Sequence, residues 1–263
     1  GANLLKGLEH LLGDLSTGRM KMTDENAFEV GRNVAITPGK VVFQNRLFQL
    51  IHYGPSTETV FATPLLIFPP WINKYYILDL TAEKSFIRWA VAQGLTVFVV
   101  SWKNADESLA DASIDTYVEE GMFTAIDLVR QICDVPSVHT IGYCVAGTTL
   151  AAALAVLAAR GQADKVATAT FFTAQVDFSD AGELKLFVDD ASLDTIEKLT
   201  EGKAVLDGRY MATSFNLLRS NDLIWNYVVN NYMLGKDYFP FDLLYWNSDA
   251  TNVPAGWHRD YLD

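Results

Sequence analysis

Two short runs of this chain are apolar at almost every position, 64–68 (PLLIF) and 95–102 (LTVFVVSW). A strand with one wet face alternates apolar and polar residues, so runs like these belong to strands covered on both faces. Two further β-rich runs, 137–143 and 166–176, follow. The spacing predicts helices between and after the strands: over 81–93, with Thr81 as N-cap and Gly94 as stop, over 116–133, and over 145–160, closed by Gly161. Strand and helix therefore alternate, and the fold class is α/β: a mostly parallel sheet with helices on both faces.

The ends of the chain break this pattern. Leu4, Leu5, Leu8, Leu11, Leu12 and Leu15 recur at helical spacing, and 23–40 reads as a polar connector. Two short β-rich runs, 41–43 and 47–53, flank Gln44 and Asn45 as a hairpin or a bent strand. Beyond Phe178 the alternation stops. Helical stretches are expected around 192–200 and 222–234, amid dense aromatics such as Tyr210, Trp225, Phe239 and Trp257. The division expected is a helical region and connector over 1–40, the first part of the core over 41–178, and a truncated helical, aromatic cap over 179–263, placed over the carboxyl ends of the strands.

A formal net charge of −12 and the lack of a Lys/Arg cluster argue against a nucleic-acid partner. An anionic substrate has to be met by local donors, because the long-range field repels it. Two cysteines make no disulfide framework and point to a reducing, cytoplasmic setting. No signal peptide or membrane-length apolar run is read. The chain starts at Gly1 and ends at Asp263 without a polar tail, so a longer parent protein, with the final strands of the sheet missing here, is expected.

The strongest chemical signal is Gly142-Tyr143-Cys144-Val145-Ala146-Gly147, set between a strand and a long helix. That context is the nucleophile elbow of the α/β-hydrolase fold, in which a tight turn holds the side chain above the sheet. Small residues at 142 and 146 are expected to let the turn close. Most free cysteines are small buried hydrophobes, and Cys133 is expected to be one. At Cys144 the helix N-terminus should favour the thiolate and lower the thiol pKa. The backbone N–H of Val145 is the first candidate oxyanion donor. The second is expected from Trp71 or Ile72, in the loop after the 64–68 strand. Asn73 and Asp79 are possible lining residues, although Asp79 also suits hydrogen bonding at the start of a helix. Lys74 and Arg209 are weaker phosphate candidates.

The base is harder to find. His139 begins the strand that ends at Cys144, and five strand residues span roughly 17 Å, which puts it at the wrong end of the sheet. His10, His52 and His258 are expected to be structural or solvated. In this fold the acid and the histidine follow the nucleophile on later strands, so both are expected beyond Asp263.

Several longer stretches resemble the polyhydroxyalkanoate synthases: PPWINKYYILDL (69–80), FVVSWKNAD (98–106), GYCVAGT (142–148), LAVLAARG (154–161), NDLIWNYVVNNY (221–232) and PFDLLYWNSDATNVP (240–254). The resemblance implies a cysteine, Cys144, that accepts acyl groups from (R)-3-hydroxyacyl-CoA thioesters and carries the growing polyester, with CoA released. It implies no metal or other cofactor, a homodimer formed through the cap, and association with polymer granules and their proteins. The competing reading is a cysteine hydrolase or thioesterase of the same fold, which would lack the NDLIWNYVVNNY segment.

Overall fold

The computed structural model describes residues 1–182, 198 and 201–262. Six strands form one sheet: β1 (Gly39–Gln44), β2 (Phe48–Tyr53), β3 (Leu65–Phe68), β4 (Val97–Trp102), β5 (Val138–Tyr143) and β6 (Val166–Phe172), in the order β1-β2-β4-β3-β5-β6. Strands β4, β3, β5 and β6 run parallel, and the β1–β2 hairpin borders them in antiparallel pairing. The hairpin turns where Asn45 Oδ1 accepts from the N–H groups of Leu47 and Phe48, a side-chain substitute for a backbone turn.

The apolar runs are explained by their period of two. Leu65 and Ile67 join Val97, Val99 and Ile141 on one face and pack against Ile87, Ala90 and Val91 of α2 (Phe86–Ala92). Leu66 and Phe68 point to the other face, into a cluster with Phe98, Val100, Ile126, Val129 and Leu150. That second layer consists of α4 (Thr124–Cys133) and α5 (Val145–Ala159). Each fully buried side chain of this size contributes about 1.5–3 kcal/mol, so neither face leaves room for polar alternation.

The helix expected over 116–133 is one continuous run that begins earlier. It comprises α3 (Ile114–Thr116), a π-helical stretch (Tyr117–Phe123) and α4. Gly121 lies in the widened stretch, where a Cβ would sit 2.8 Å from the Trp102 ring.

Two expected boundaries are corrected. Helix α2 starts at Phe86, and its cap is Ser85 rather than Thr81: Ser85 Oγ accepts from the Arg88 N–H at 2.9 Å. Thr81 instead closes a turn by accepting from the Lys84 N–H at 3.0 Å. Strand β6 ends at Phe172, short of 176, because Thr173 takes φ 44°.

The region expected as a cap departs most from the sequence reading. The 222–234 helix is found as two π-helical segments, Asn221–Trp225 and Val228–Met233. Three helices that the periodicity did not reveal are α6 (Gly208–Leu218), α7 (Asp242–Ser248) and α8 (Ala255–Leu262). A short ladder joins β7 (Val205–Leu206) to β8 (Val253–Pro254). The stretch expected over 192–200 lies, Lys198 apart, outside the described residues. The leucine-rich helix α1 (Ala2–Thr17) packs on the Val228–Met233 segment through Gly7, where a Cβ would overlap the Tyr232 carbonyl.

Candidate active site

Strands β3 and β5 are neighbours, with Phe68 opposite Gly142. The chain reaches Trp71 three residues past Phe68 and Cys144 two residues past Gly142, so both leave the same end of the sheet side by side. Cys144 has φ 55° and ψ −129° and immediately precedes α5. A non-glycine residue held there costs on the order of 1–3 kcal/mol, which surrounding contacts must offset. Its N–H donates to Phe172 O at 2.9 Å, and its carbonyl accepts from the N–H groups of Gly147 at 2.8 Å and Thr148 at 3.2 Å.

The close approach that lets the turn form is between Gly142 and Gly147. A Cβ on Gly142 would sit 2.6 Å from Gly147 Cα, and one on Gly147 would sit 2.8 Å from Gly142 O and 2.4 Å from Ala174 Cβ. Ala146, the second small position of the sequence pattern, is fully buried, and the tightest approach falls one step later, at Gly147.

The expected lowering of the thiol pKa is overturned. Loss of hydration is the larger effect and pushes the Cys144 thiol up, and the Val145 N–H offsets only part of the rise. Cys144 is exposed as a residue, yet the protein around it removes enough hydration to decide the sign. Cys133 is raised by burial as well, as suits a structural thiol. A neutral thiol at Cys144 needs a base to become a nucleophile.

The loop after β3 is set in aromatic packing. Trp71 is buried, stacks on Tyr117 at 4.3 Å, and meets Trp102 at 5.1 Å and Trp257 at 5.2 Å edge-on. Trp102 Nε1 donates to Pro69 O at 2.7 Å. Ile72 packs against the main core. A segment distant in sequence clamps this loop. The Thr251 N–H donates to Ile72 O at 3.1 Å, Thr251 Oγ1 donates to Trp71 O, and Asn73 bridges to Ala250. Trp246 Nε1 donates to Lys74 O at 2.7 Å, and the Tyr76 hydroxyl donates to Asp249 at 2.8 Å. Lys84 pairs with the buried Asp242 at 2.9 Å.

The remaining sequence candidates fall into place around this frame. The Asn73 amide donates to Asn247 O at 3.5 Å. Asp79 is buried and accepts from Thr37 Oγ1 at 2.6 Å and Ser85 Oγ at 2.5 Å, tying the connector to the start of α2. Lys74 offers its carbonyl to Trp246, and Arg209 forks onto Asp207 at 2.6 Å on the exposed surface.

The histidines are spread over the molecule. His139 bonds Thr168 Oγ1 at 2.8 Å near the start of β5, His52 stacks on Phe98 at 4.6 Å, and His10 reaches Asn231 O at 3.2 Å. His258 is buried on α8, and burial pushes its pKa down.

Sequence reasoning missed Tyr261. It stacks on Trp257 at 5.2 Å and meets Phe178 at 6.2 Å. Burial raises its phenol pKa, and the charge of a Cys144 thiolate raises it further, so the two side chains are within electrostatic reach. No local pattern could have linked residues so far apart in the chain. Thr251 was missed for the same reason.

Residues 64–262 match the alpha/beta hydrolase fold family, and residues 1–90 match the family described as poly-beta-hydroxybutyrate polymerase (PhaC) N-terminus. The whole chain aligns at 52% identity with 43% of a poly(3-hydroxyalkanoate) polymerase subunit from Rhizobium meliloti. It aligns at 52% with 44% of the polymerase from Methylorubrum extorquens, and at 48% with 45% of the subunit from Cupriavidus necator. It thus spans less than half the length of these relatives. A solved structure of a putative lipase from Sulfolobus solfataricus superposes on 84% of this chain, and on 79% of its own, with a TM-score of 0.47 and 11% identity. The chain belongs to the alpha/beta hydrolase fold family.

Proposed function

We propose that the protein carrying this chain is a polyhydroxyalkanoate synthase that polymerises (R)-3-hydroxyacyl-CoA thioesters through a covalent acyl group on Cys144. The observation that carries the reading is the strained elbow: a cysteine at φ 55° between a parallel strand and the helix it starts. Relatives named as polymerases match along all of its length.

In this reading a base takes the Cys144 thiol proton, and the sulfur bonds to the thioester carbonyl carbon. The carbonyl π electrons move to oxygen, where the Val145 N–H and an N–H of the Trp71–Ile72 loop stabilise the charge. Collapse restores the carbonyl and expels CoA thiolate, which takes the proton from the base. A hydroxyl of a second acyl group then attacks the cysteinyl thioester. Its proton passes to the base, an ester bond forms, and the Cys144 sulfur leaves and is reprotonated. The thioester splits a difficult transfer into two easier ones.

The acid and the base are assigned to sequence outside these 263 positions, since the relatives are more than twice as long. Action at a polymer granule in the cytoplasm and pairing of two copies through the 201–262 region belong to the same reading. The exposed Phe239 and Trp225 supply apolar surface for either contact. No helix among the described residues is long and apolar enough to cross a membrane.

The test uses the full-length protein with 3-hydroxybutyryl-CoA, following CoA thiol release and polymer together. Wild type should yield both, and Cys144→Ala neither, with the fold retained by circular dichroism. Polymer from Cys144→Ala would sink the reading. Release of free hydroxy acid without polymer from wild type would favour a thioesterase.

A further inference from the structure

Both carbonyls that bracket the candidate oxyanion loop are held by one residue. Thr251 Oγ1 donates to Trp71 O at 2.5 Å, and the Thr251 N–H donates to Ile72 O at 3.1 Å. Thr251 is buried, and its own position is fixed from several directions. Next to it, the Asn252 N–H donates to Asn104 Oδ1 at 2.8 Å, and the Asn252 side chain accepts from the Gly208 N–H at 3.1 Å. Gly208 packs so closely on the Thr251 backbone that a Cβ there would overlap the Thr251 carbonyl. On the other side, Ala250 bridges to Asn73 and Asp249 accepts from the Tyr76 hydroxyl.

A trans peptide is planar, and its C=O and N–H point in opposite directions. There is no cis peptide among the described residues. The Trp71 carbonyl and the Ile72 N–H belong to the same plane. A bond that anchors the Trp71 carbonyl toward Thr251 therefore also sets the direction of the Ile72 N–H, away from Thr251. The side-chain hydroxyl thus controls the donor, while the Thr251 backbone N–H controls the next plane.

We propose that Thr251 is a positioning residue for acyl transfer: by holding the Trp71 carbonyl, its hydroxyl aims the Ile72 N–H at the oxyanion formed during attack by Cys144. Thr251 itself touches neither the substrate nor the sulfur in this role. The inference rests on the acyl transfer at Cys144 proposed above, and it selects Ile72 over Trp71 as the second donor. It also gives the segment 246–251 a role, because that segment carries the loop's anchor to the sheet end where Cys144 stands.

The experiment compares two reactions of the same sulfur in the full-length protein. Acylation by 3-hydroxybutyryl-CoA passes through an oxyanion, and alkylation by iodoacetamide does not. Both are followed at Cys144 by mass spectrometry, in wild type, Thr251→Val and Thr251→Ser. Val keeps the shape and loses the donor; Ser keeps the donor and loses the methyl. Thr251→Val should acylate about 10- to 100-fold more slowly at saturating thioester, with half-saturation and alkylation unchanged. Thr251→Ser should acylate within about twofold of wild type, since it retains the hydroxyl on which the aim depends.

Wild-type acylation by Thr251→Val overturns the inference. So does a Thr251→Ser protein that alkylates normally and acylates slowly, because packing of the methyl would then be what matters. That arm decides the question even if Thr251→Val does not fold. A wild-type protein that takes no acyl group at Cys144 sinks the underlying reading instead, and the two failures are distinguishable in one set of spectra.

Discussion

Trp257 and Phe239 lie close together in sequence, in the same aromatic-rich stretch, yet Trp257 is 0% exposed and Phe239 is 80% exposed. Within the sheet, by contrast, Leu66, Ile67, Phe98 and Val99 share one fate and are all fully buried. In a strand covered on both faces, burial follows from being in the strand at all, so composition decides it. In the 201–262 region burial depends on which neighbour each side chain meets. Trp257 meets Trp71 and Tyr261, while Phe239 lies in the connection before α7. A dense aromatic composition there describes two different things: anchors that hold the loop beside the elbow, and free surface.

The sharpest way to break this contrast is to truncate one aromatic of each kind. Trp257→Ala should cost about 3–5 kcal/mol in urea unfolding of the full-length protein, because it empties a fully buried site. Phe239→Ser should fall within about 0.5 kcal/mol of wild type, as exposed positions do. Equal costs would mean that anchor and surface aromatics are not separate classes.

A second test moves to the sheet end. Gly147→Ala puts a Cβ against Gly142 O and Ala174 Cβ, at 2.8 and 2.4 Å. A backbone oxygen cannot rotate away, so a loss of about 2–3 kcal/mol is expected from this overpacking. Gly161→Ala serves as the comparison: its Cβ would meet nothing within 4 Å, and only the strain of φ 68° applies. If Gly161→Ala costs as much as Gly147→Ala, backbone strain rather than the close approach governs the elbow.

A smaller effect of opposite sign is expected at the proposed nucleophile. Cys144→Gly removes the side chain that makes φ 55° unfavourable. Despite the greater freedom of its unfolded chain, it should raise unfolding stability by about 1 kcal/mol while ending acyl transfer. A loss of stability would show that the Cys144 side chain packs well enough to outweigh the strain.

The smallest effect is a displaced pH profile. Since loss of hydration raises the Cys144 thiol, its alkylation rate in the native protein should climb at higher pH than in the urea-unfolded chain. The sign for stability follows from the same shift. The fold favours the neutral thiol, so this contribution is fully present below the ordinary thiol range and is lost as pH rises through the native value. Peptide-level detection separates Cys144 from Cys133, which burial also raises. A native profile at or below the unfolded one would show that the helix N-terminus outweighs desolvation after all.

Local chemistry was enough to read the parallel strands, the stop at Gly94 and the place of Cys144 between β5 and α5, while around Gln44 and Asn45 it left a hairpin and a bent strand open. Each of these readings rests on a pattern spanning fewer than about ten residues: an apolar run, a glycine stop or a helix start. Boundaries failed where a side chain had a distant competitor. Ser85 rather than Thr81 caps α2, with Asp79 and Thr37 bonded alongside it. Which pair of elbow backbones approaches most closely, Gly142 and Gly147, is a matter of three-dimensional packing that the sequence pattern does not specify.

What the sequence determined by itself is therefore the layered sheet and the residue at its elbow, since apolar periodicity and turn chemistry act between near neighbours. Only the tertiary structure decided what surrounds that residue. The sign of the Cys144 pKa shift depends on how much protein excludes water from it. The nearness of Tyr261 and the anchoring of the Trp71–Ile72 loop by Thr251 depend on contacts between segments far apart in the chain. Desolvation and long-range hydrogen bonds are properties of the packed molecule, and no short window of residues encodes them.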